Sequence, residues 1–94
     1  MTFSEDKMAI EEILGSRSRL RILKLLYMLG ELNLSGIARR IKVSYREVKK
    51  HIQILETAGL VTYKRFGRIK LYRLNESSSR VKAIEALIDA WEES

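Results

Sequence analysis

The chain has 94 residues, no cysteine, no proline and a formal net charge of +6 at pH 7. That length holds one domain with a small core, a size at which self-association adds stability. Without cysteine there is no disulfide framework and no thiolate metal site. No basic stretch followed by an apolar run marks a signal peptide, and no apolar run is long enough to span a membrane, so a cytoplasmic protein is expected.

The charge is segregated along the chain. Residues 17–73 carry fifteen Lys and Arg against Glu31, Glu47 and Glu56, a net +12, whereas residues 1–16 and 74–94 each carry a net −3. A solvated surface that happens to be basic needs no such separation. A face built for a polyanion such as nucleic acid does.

In chain order, Thr2-Phe3-Ser4-Glu5 has the T-x-x-E spacing of a capping box, and a helix is predicted over about residues 4–14. Phe3, Ile10 and Leu14, with Met8 and Ile13 beside them, make its apolar stripe. Gly15-Ser16 breaks it. Ser16 or Ser18 caps a second helix running to about residue 29, where Leu20, Leu23, Leu26 and Leu29, widened by Ile22 and Leu25, predict the core helix. Arg17, Arg19, Arg21 and Lys24 lie off that stripe and are candidates for phosphate contact. Glu31-Leu32-Asn33 is a connector with the potential to form a minimal third strand along a later hairpin. Asn33 or Ser35 caps a third helix over residues 34–41, with Ile37 and Ile41 inward.

Lys42-Val43-Ser44 is the turn into the fourth helix, predicted over residues 44–58. Ser44 and Glu47 have capping-box spacing, so that the serine hydroxyl accepts from the Glu47 N–H and the glutamate reaches back to the Ser44 N–H. Val48, Ile52 and Leu55 recur at helical spacing and predict a buried face. Tyr45, Arg46, Lys49, Lys50 and Gln53 fall on the other face, uninterrupted by an acid after Glu47. Gly59 suits the left-handed residue that ends a helix. Two β-leaning runs, residues 60–65 and 69–74, joined by Phe66-Gly67-Arg68, predict a hairpin. Ser77-Ser78-Ser79 then caps a last helix over about residues 79–92, with Val81, Ile84, Leu87, Ile88 and Trp91 as a continuous apolar face.

The expected fold is therefore mainly α with a small β-hairpin, in the order α-α-α-α-β-β-α. It is one domain: an N-terminal helix (1–15), a winged helix-turn-helix core (16–75) and a C-terminal dimerisation helix (76–94). A basic helix followed by a basic hairpin has the logic of a winged helix, in which the helix enters the major groove and the hairpin, over residues 63–72, reaches the backbone or the minor groove. Ser44, Tyr45, Arg46, Lys49, Lys50 and Gln53 are the candidate groove contacts of the helix. An arginine or lysine can pair with guanine and a glutamine with adenine. Arg65, Arg68 and Lys70 are the candidate wing contacts. Phe3, Ile10, Leu14, Val81, Ile84, Leu87, Ile88 and Trp91 are candidates for a dimer interface, because they exceed what one small core can cover. His51 flanks the buried stripe and is read as a half-buried histidine satisfied by a backbone carbonyl; a single histidine makes no metal site. No nucleophile-base pair, phosphate-cradling glycine loop or paired carboxylates suggest catalysis, and no cofactor or metal is expected.

The segment from Ser16 to Asn75 resembles the ArsR-like winged-helix transcription regulators, particularly archaeal members. The resemblance rests on Arg-x-x-Ile-Leu at the start of the core helix, Ile37-Ala38, and Ser44 with Val48-x-x-His51-Ile52-x-x-Leu55. Ala58-Gly59-Leu60-Val61 and Gly67-Arg68…Tyr72-x-Leu74 complete the series. It implies a homodimer that binds imperfect palindromes in double-stranded DNA and represses transcription, with terminal helices at the dimer interface. Two features depart from the pattern. The cysteine and clustered ligands of the family's metal sensors are missing, so metal sensing is not expected, and Lys42 stands where the turn often has glycine. A left-handed lysine there costs about 1 kcal/mol more than glycine. The competing expectations are an architectural chromatin protein without sequence preference and a winged helix that binds another protein.

Overall fold

A computed structural model describes residues 9–93. Among these residues five helices and one hairpin follow in the predicted order: α1 (Ile10–Leu14), α2 (Arg17–Leu29), α3 (Leu34–Ile41), α4 (Tyr45–Thr57), β1 (Val61–Phe66), β2 (Ile69–Leu74) and α5 (Ser79–Glu92). The predicted cap at Thr2-Phe3-Ser4-Glu5, with Phe3 and Met8, lies outside the described residues. The first helix does not run unbroken from residue 4 to 14, because Ala9 is extended at φ −70° and ψ 148° and α1 begins after it. Its start is set by Glu12, whose carboxylate accepts from the Ala9 N–H at 3.3 Å.

Where two serines or an asparagine and a serine compete for a cap, the first residue takes it. Ser16 Oγ accepts from the Arg19 N–H at 3.2 Å, and Asn33 Oδ1 from the Gly36 N–H at 2.7 Å. Each satisfies a backbone donor that the first turn of a helix leaves open. Ser78 does the same for α5 by accepting from the Val81 N–H.

Helix α2 runs through the centre. Ile22, Leu23 and Leu26 are buried on it, against Ile37 and Ile41 of α3, Val48, Ile52 and Leu55 of α4, Leu60, Val61, Tyr72 and Leu74 of the hairpin region, Ile13 of α1 and Val81 of α5. Leu29, expected on the core stripe, is exposed instead. Residues three apart on a helix lag by about 60° per step, so the last of the four leucines has turned to the far side from the first.

The hairpin is antiparallel, from Val61 opposite Leu74 to Phe66 opposite Ile69. Phe66, expected in the turn, belongs to the strand, and only Gly67 and Arg68 form the connection. Leu60 falls outside β1 because its backbone closes the end of α4. The connector before α3 forms the expected third-strand contact: Leu32 and Tyr72 exchange two backbone hydrogen bonds at 3.1 and 2.8 Å. No helix of the described residues is long and apolar enough to cross a membrane.

Candidate nucleic-acid interface

The site starts with the way α4 is held. Ser44 Oγ accepts from the Glu47 N–H at 3.1 Å. This is the serine half of the expected capping box; Glu47 lies exposed, and its return bond is not formed in the structure. Val48, Ile52 and Leu55 are fully buried, which fixes the rotation of the helix and turns Tyr45, Arg46, Lys49, Lys50 and Gln53 to solvent. At the far end Gly59 has φ +79°. Its N–H reaches Glu56 O, and the Leu60 N–H reaches Leu55 O, both at 3.0 Å. This pair of bonds is the Schellman closure. The turn before α4 contains Lys42 in the left-handed region at φ 60° and ψ 46°, as its position required.

The hairpin is fastened to that helix end by Asn75, which sequence reasoning passed over. Its Nδ2 donates to Gly59 O at 2.9 Å and its backbone N–H to Leu60 O at 3.0 Å. A lone asparagine after a strand reads as turn chemistry, so only its partner reveals the role. Gly67, at φ 60°, takes the first position of the two-residue turn, the residue demanded there by a type II′ hairpin. Tyr63 and Tyr72 face each other across the strands at 5.6 Å between ring centres, and Lys70 Nζ lies 4.4 Å over the Tyr63 ring. Such a cation over an aromatic face is held in place by the ring quadrupole. Burial pushes the Tyr72 phenol above its usual pKa.

Between α4 and the wing lies a concavity of about 380 Å³. Tyr45, Lys49 and Gln53 line it from α4, and Arg65, Arg68 and Lys70 from the wing. Six of the nine predicted contacts thus share one surface. Arg46 and Lys50 are exposed on α4 but do not line the concavity, and Ser44 serves as the cap. Asn33, Leu34 and Ser35, at the start of α3, also line it and were missed as site residues. The signal for them was already present, since a capped helix N-terminus presents backbone N–H groups that suit a phosphate. Glu56 lines the concavity as well, so its surface is not free of acid after Glu47, as the linear pattern suggested.

His51 is half-buried, as expected, but no backbone carbonyl satisfies it. Its Nδ1 is buried without a hydrogen-bond partner among the described residues. The carbonyls of its own helix point along the axis into the i→i+4 ladder rather than out towards the ring. Burial, and then the nearby Arg19, hold its pKa below the usual histidine value. Among the described residues no three His, Cys, Asp or Glu side chains are grouped to hold a metal ion.

A second surface has the reverse chemistry. Trp91 is 76% exposed and Ile10 70%, with Leu14 and Leu87 also open. Two adjoining apolar grooves sharing Leu14 and Leu87 run across them, one continuing to Ile88, Trp91, Arg21 and Lys24, the other to Ile10, Ile84 and Arg80. Val81, expected on this face, is only 1% exposed and belongs to the chain's own core. It sits in the first turn of α5, where the helix is pinned to the core; Ile84 and Ile88 are half-buried, and Leu87 and Trp91 are left uncovered. Arg21 and Lys24 were candidates for phosphate contact, but they border this groove, and Lys24 Nζ pairs with Glu92 at 2.7 Å. Tyr27 Oη donates to the Asp89 carboxylate at 2.8 Å, and this bond, with burial behind it, pushes the phenol up to about 12. Glu85 is buried beside them. Burial first, then its hydrogen bond with Glu76, pushes its carboxyl up, while Lys82 holds Glu76 down.

The helix-turn-helix domain model matches residues 14–64 of the chain. YdgJ, an uncharacterised HTH-type transcriptional regulator of Bacillus subtilis, is 34% identical over 64 residues, 65% of this chain, and the chain spans 39% of that relative's length. The homodimeric winged helix-turn-helix DNA-binding domain of a possible ArsR-family regulator from Mycobacterium bovis superposes with a TM-score of 0.71 at 26% identity. That match covers 99% of this chain and 91% of the other. HlyU of Vibrio cholerae superposes with a TM-score of 0.76 at 25% identity over 90% of this chain and 89% of the other.

Proposed function

The chain belongs to the helix-turn-helix domain family, and on that premise we propose that it is a sequence-specific, double-stranded DNA-binding transcription regulator of the ArsR-like kind, acting in the cytoplasm as a homodimeric repressor. The observation that carries this reading is the convergence of Tyr45, Lys49 and Gln53 with Arg65, Arg68 and Lys70 on one concave surface. In this reading α4 lies in the major groove, where Lys49 and Gln53 meet base edges, and Arg46 and Lys50 take the phosphates alongside. The wing takes the adjacent backbone and minor groove. Ser35 and the N-terminus of α3 hold a further phosphate. The whole chain acts as one domain, and its apolar α1 and α5 surface joins two copies through Ile10, Leu14, Ile84, Leu87, Ile88 and Trp91. Dyad-related copies of α4 would then meet half-sites about one turn, roughly 34 Å, apart. The resemblance of residues 16–75 favours an archaeal-type member.

Fluorescence anisotropy over a salt series tests this, with duplexes enriched from random sequence by the protein itself and a scrambled duplex of equal length. A preference of about a thousandfold or more at physiological salt is expected. Equal binding that collapses steeply with salt would instead make it an architectural protein, since counterion release alone then supplies the affinity. Absence of binding even at low salt would turn the assignment towards protein recognition.

A further inference from the structure

The hairpin leaves the core at the level of Tyr63 and Tyr72. Three more residue pairs project beyond it, about 10 Å of strand. The last pair is apolar: Phe66 and Ile69 are direct cross-strand partners, 56% and 51% exposed. Neither belongs to the core nor to the half-buried side chains packed on it, so neither contributes to the core. Side chains of directly opposed residues sit roughly 5 Å apart and touch, which makes the tip a single apolar cap. The connection beyond it has only Gly67 and Arg68, and no bulky loop hides the pair.

The surroundings identify what this cap meets. No acid occurs between Glu56 and Glu76, while Lys64, Arg65, Arg68, Lys70 and Arg73 do. Arg73 is occupied by Glu31 at 3.8 Å, and Lys70 lies over Tyr63. Arg65 and Arg68, which directly precede Phe66 and Ile69 in the chain, have no acidic partner among the described residues. An apolar pair bracketed by two such arginines is matched to a polyanion with an apolar interior exposed at its edge, which is the description of a DNA minor groove. Narrow grooves attract arginine, and pyrimidine–purine steps unstack at low cost when an apolar side chain enters.

Resting on the DNA-binding reading above, we infer that the wing tip is a wedge: Phe66 and Ile69 press between base steps in the minor groove and bend the duplex, while Arg65 and Arg68 hold the flanking phosphates. The wing then contributes to sequence choice through deformability, favouring sites with a flexible step under the tip.

The test is energy transfer between dyes at the two ends of a mixed-sequence duplex of about 20 base pairs, roughly 70 Å long, read at protein concentrations that saturate anisotropy at low salt. The wild-type chain should shorten the end-to-end distance, as a bend of roughly 20–90° does. The Phe66→Ala/Ile69→Ala chain should bind but leave the duplex straight, and Phe66→Leu, which keeps an apolar wedge, should restore the bend. Both residues are exposed, and an unchanged melting curve confirms that the variant is folded. Binding by wild type without bending overturns the wedge and leaves the DNA reading intact. The same bend from the double variant also overturns it. A wild-type chain that does not bind the duplex at low salt removes both.

Discussion

Helices α4 and α5 are 13 and 14 residues long and both start at a serine cap, yet they leave opposite chemistry in solvent. On α4 the core takes the main apolar stripe: Val48, Ile52 and Leu55 point inward, and the outward face carries Tyr45 among cationic and polar side chains. On α5 only Val81 and the carboxyl-bearing Glu85 are buried. Leu87 and Trp91 are left out, and the later turns are tied to α2 through polar links, Tyr27 to Asp89 and Lys24 to Glu92. A helix whose apolar stripe is fully covered is finished as a part of the fold, and its outer face is free to recognise a ligand. A helix with a tryptophan exposed at its end is unfinished within one chain, and on the function proposed above a second copy completes it. The same small core thus defines two surfaces, one incomplete in charge and the other in burial.

The largest effect expected from breaking this contrast is on the apolar surface. Leu87→Ser with Trp91→Ser should move the sedimenting species from twice the chain mass to the 10.9 kDa of one chain. Loss of an aromatic anchor at an interface centre costs about 2 kcal/mol or more. The variant should stay folded, because both side chains are already exposed within one copy. A variant that still sediments as a pair would place the dimer contact elsewhere.

Next in size are the cations. Lys49→Ala should cost about 1–3 kcal/mol of binding and relax sequence preference if that side chain reads a base. Arg68→Ala should weaken all duplexes alike and lower the salt slope by about one unit. Neither should change thermal stability by more than about 0.5 kcal/mol, the usual range for surface substitutions. Anisotropy titrations at several salt concentrations separate the two behaviours, and identical salt slopes for Arg68→Ala and wild type would remove the wing from the interface.

The smallest effect is at the seam between α2 and α5. Tyr27, with its pKa pushed from 10.0 to about 12, binds its proton more tightly in the folded chain than in the unfolded one. Its stabilisation is therefore complete below pH 10 and is lost as pH rises through 12. Tyr27→Phe should abolish that part of the fall, which thermal melts from pH 9 upward would record. A Tyr27→Phe chain with the same alkaline profile would mean that the bond to Asp89 does not hold α5.

Much of this was legible in the chain itself because it is written locally. The Ser44 cap, the Val48-Ile52-Leu55 stripe, Gly59 and Gly67 each need only neighbours within one turn, and all four lie where their spacing indicated. What escaped was written at long range. Glu56 belongs to the last turn of α4 yet lines the basic concavity, because the wing folds back over that end. Asn75 holds the hairpin to Gly59 across sixteen residues. Lys24 and Arg21 looked like part of the basic face, but helical rotation carries them to the apolar groove. Val81 and Trp91 read as one stripe, and the difference between them depends on where along α5 the core ends, which no periodicity encodes.

The most direct measurement is an amide NMR titration of the ¹⁵N-labelled chain with duplex DNA at low salt. The account predicts shifts concentrated at Tyr45, Lys49, Gln53, Arg65, Arg68 and Lys70, with Ile10, Leu87 and Trp91 unmoved. Shifts confined to α1 and α5, with α4 and the wing silent, would contradict it.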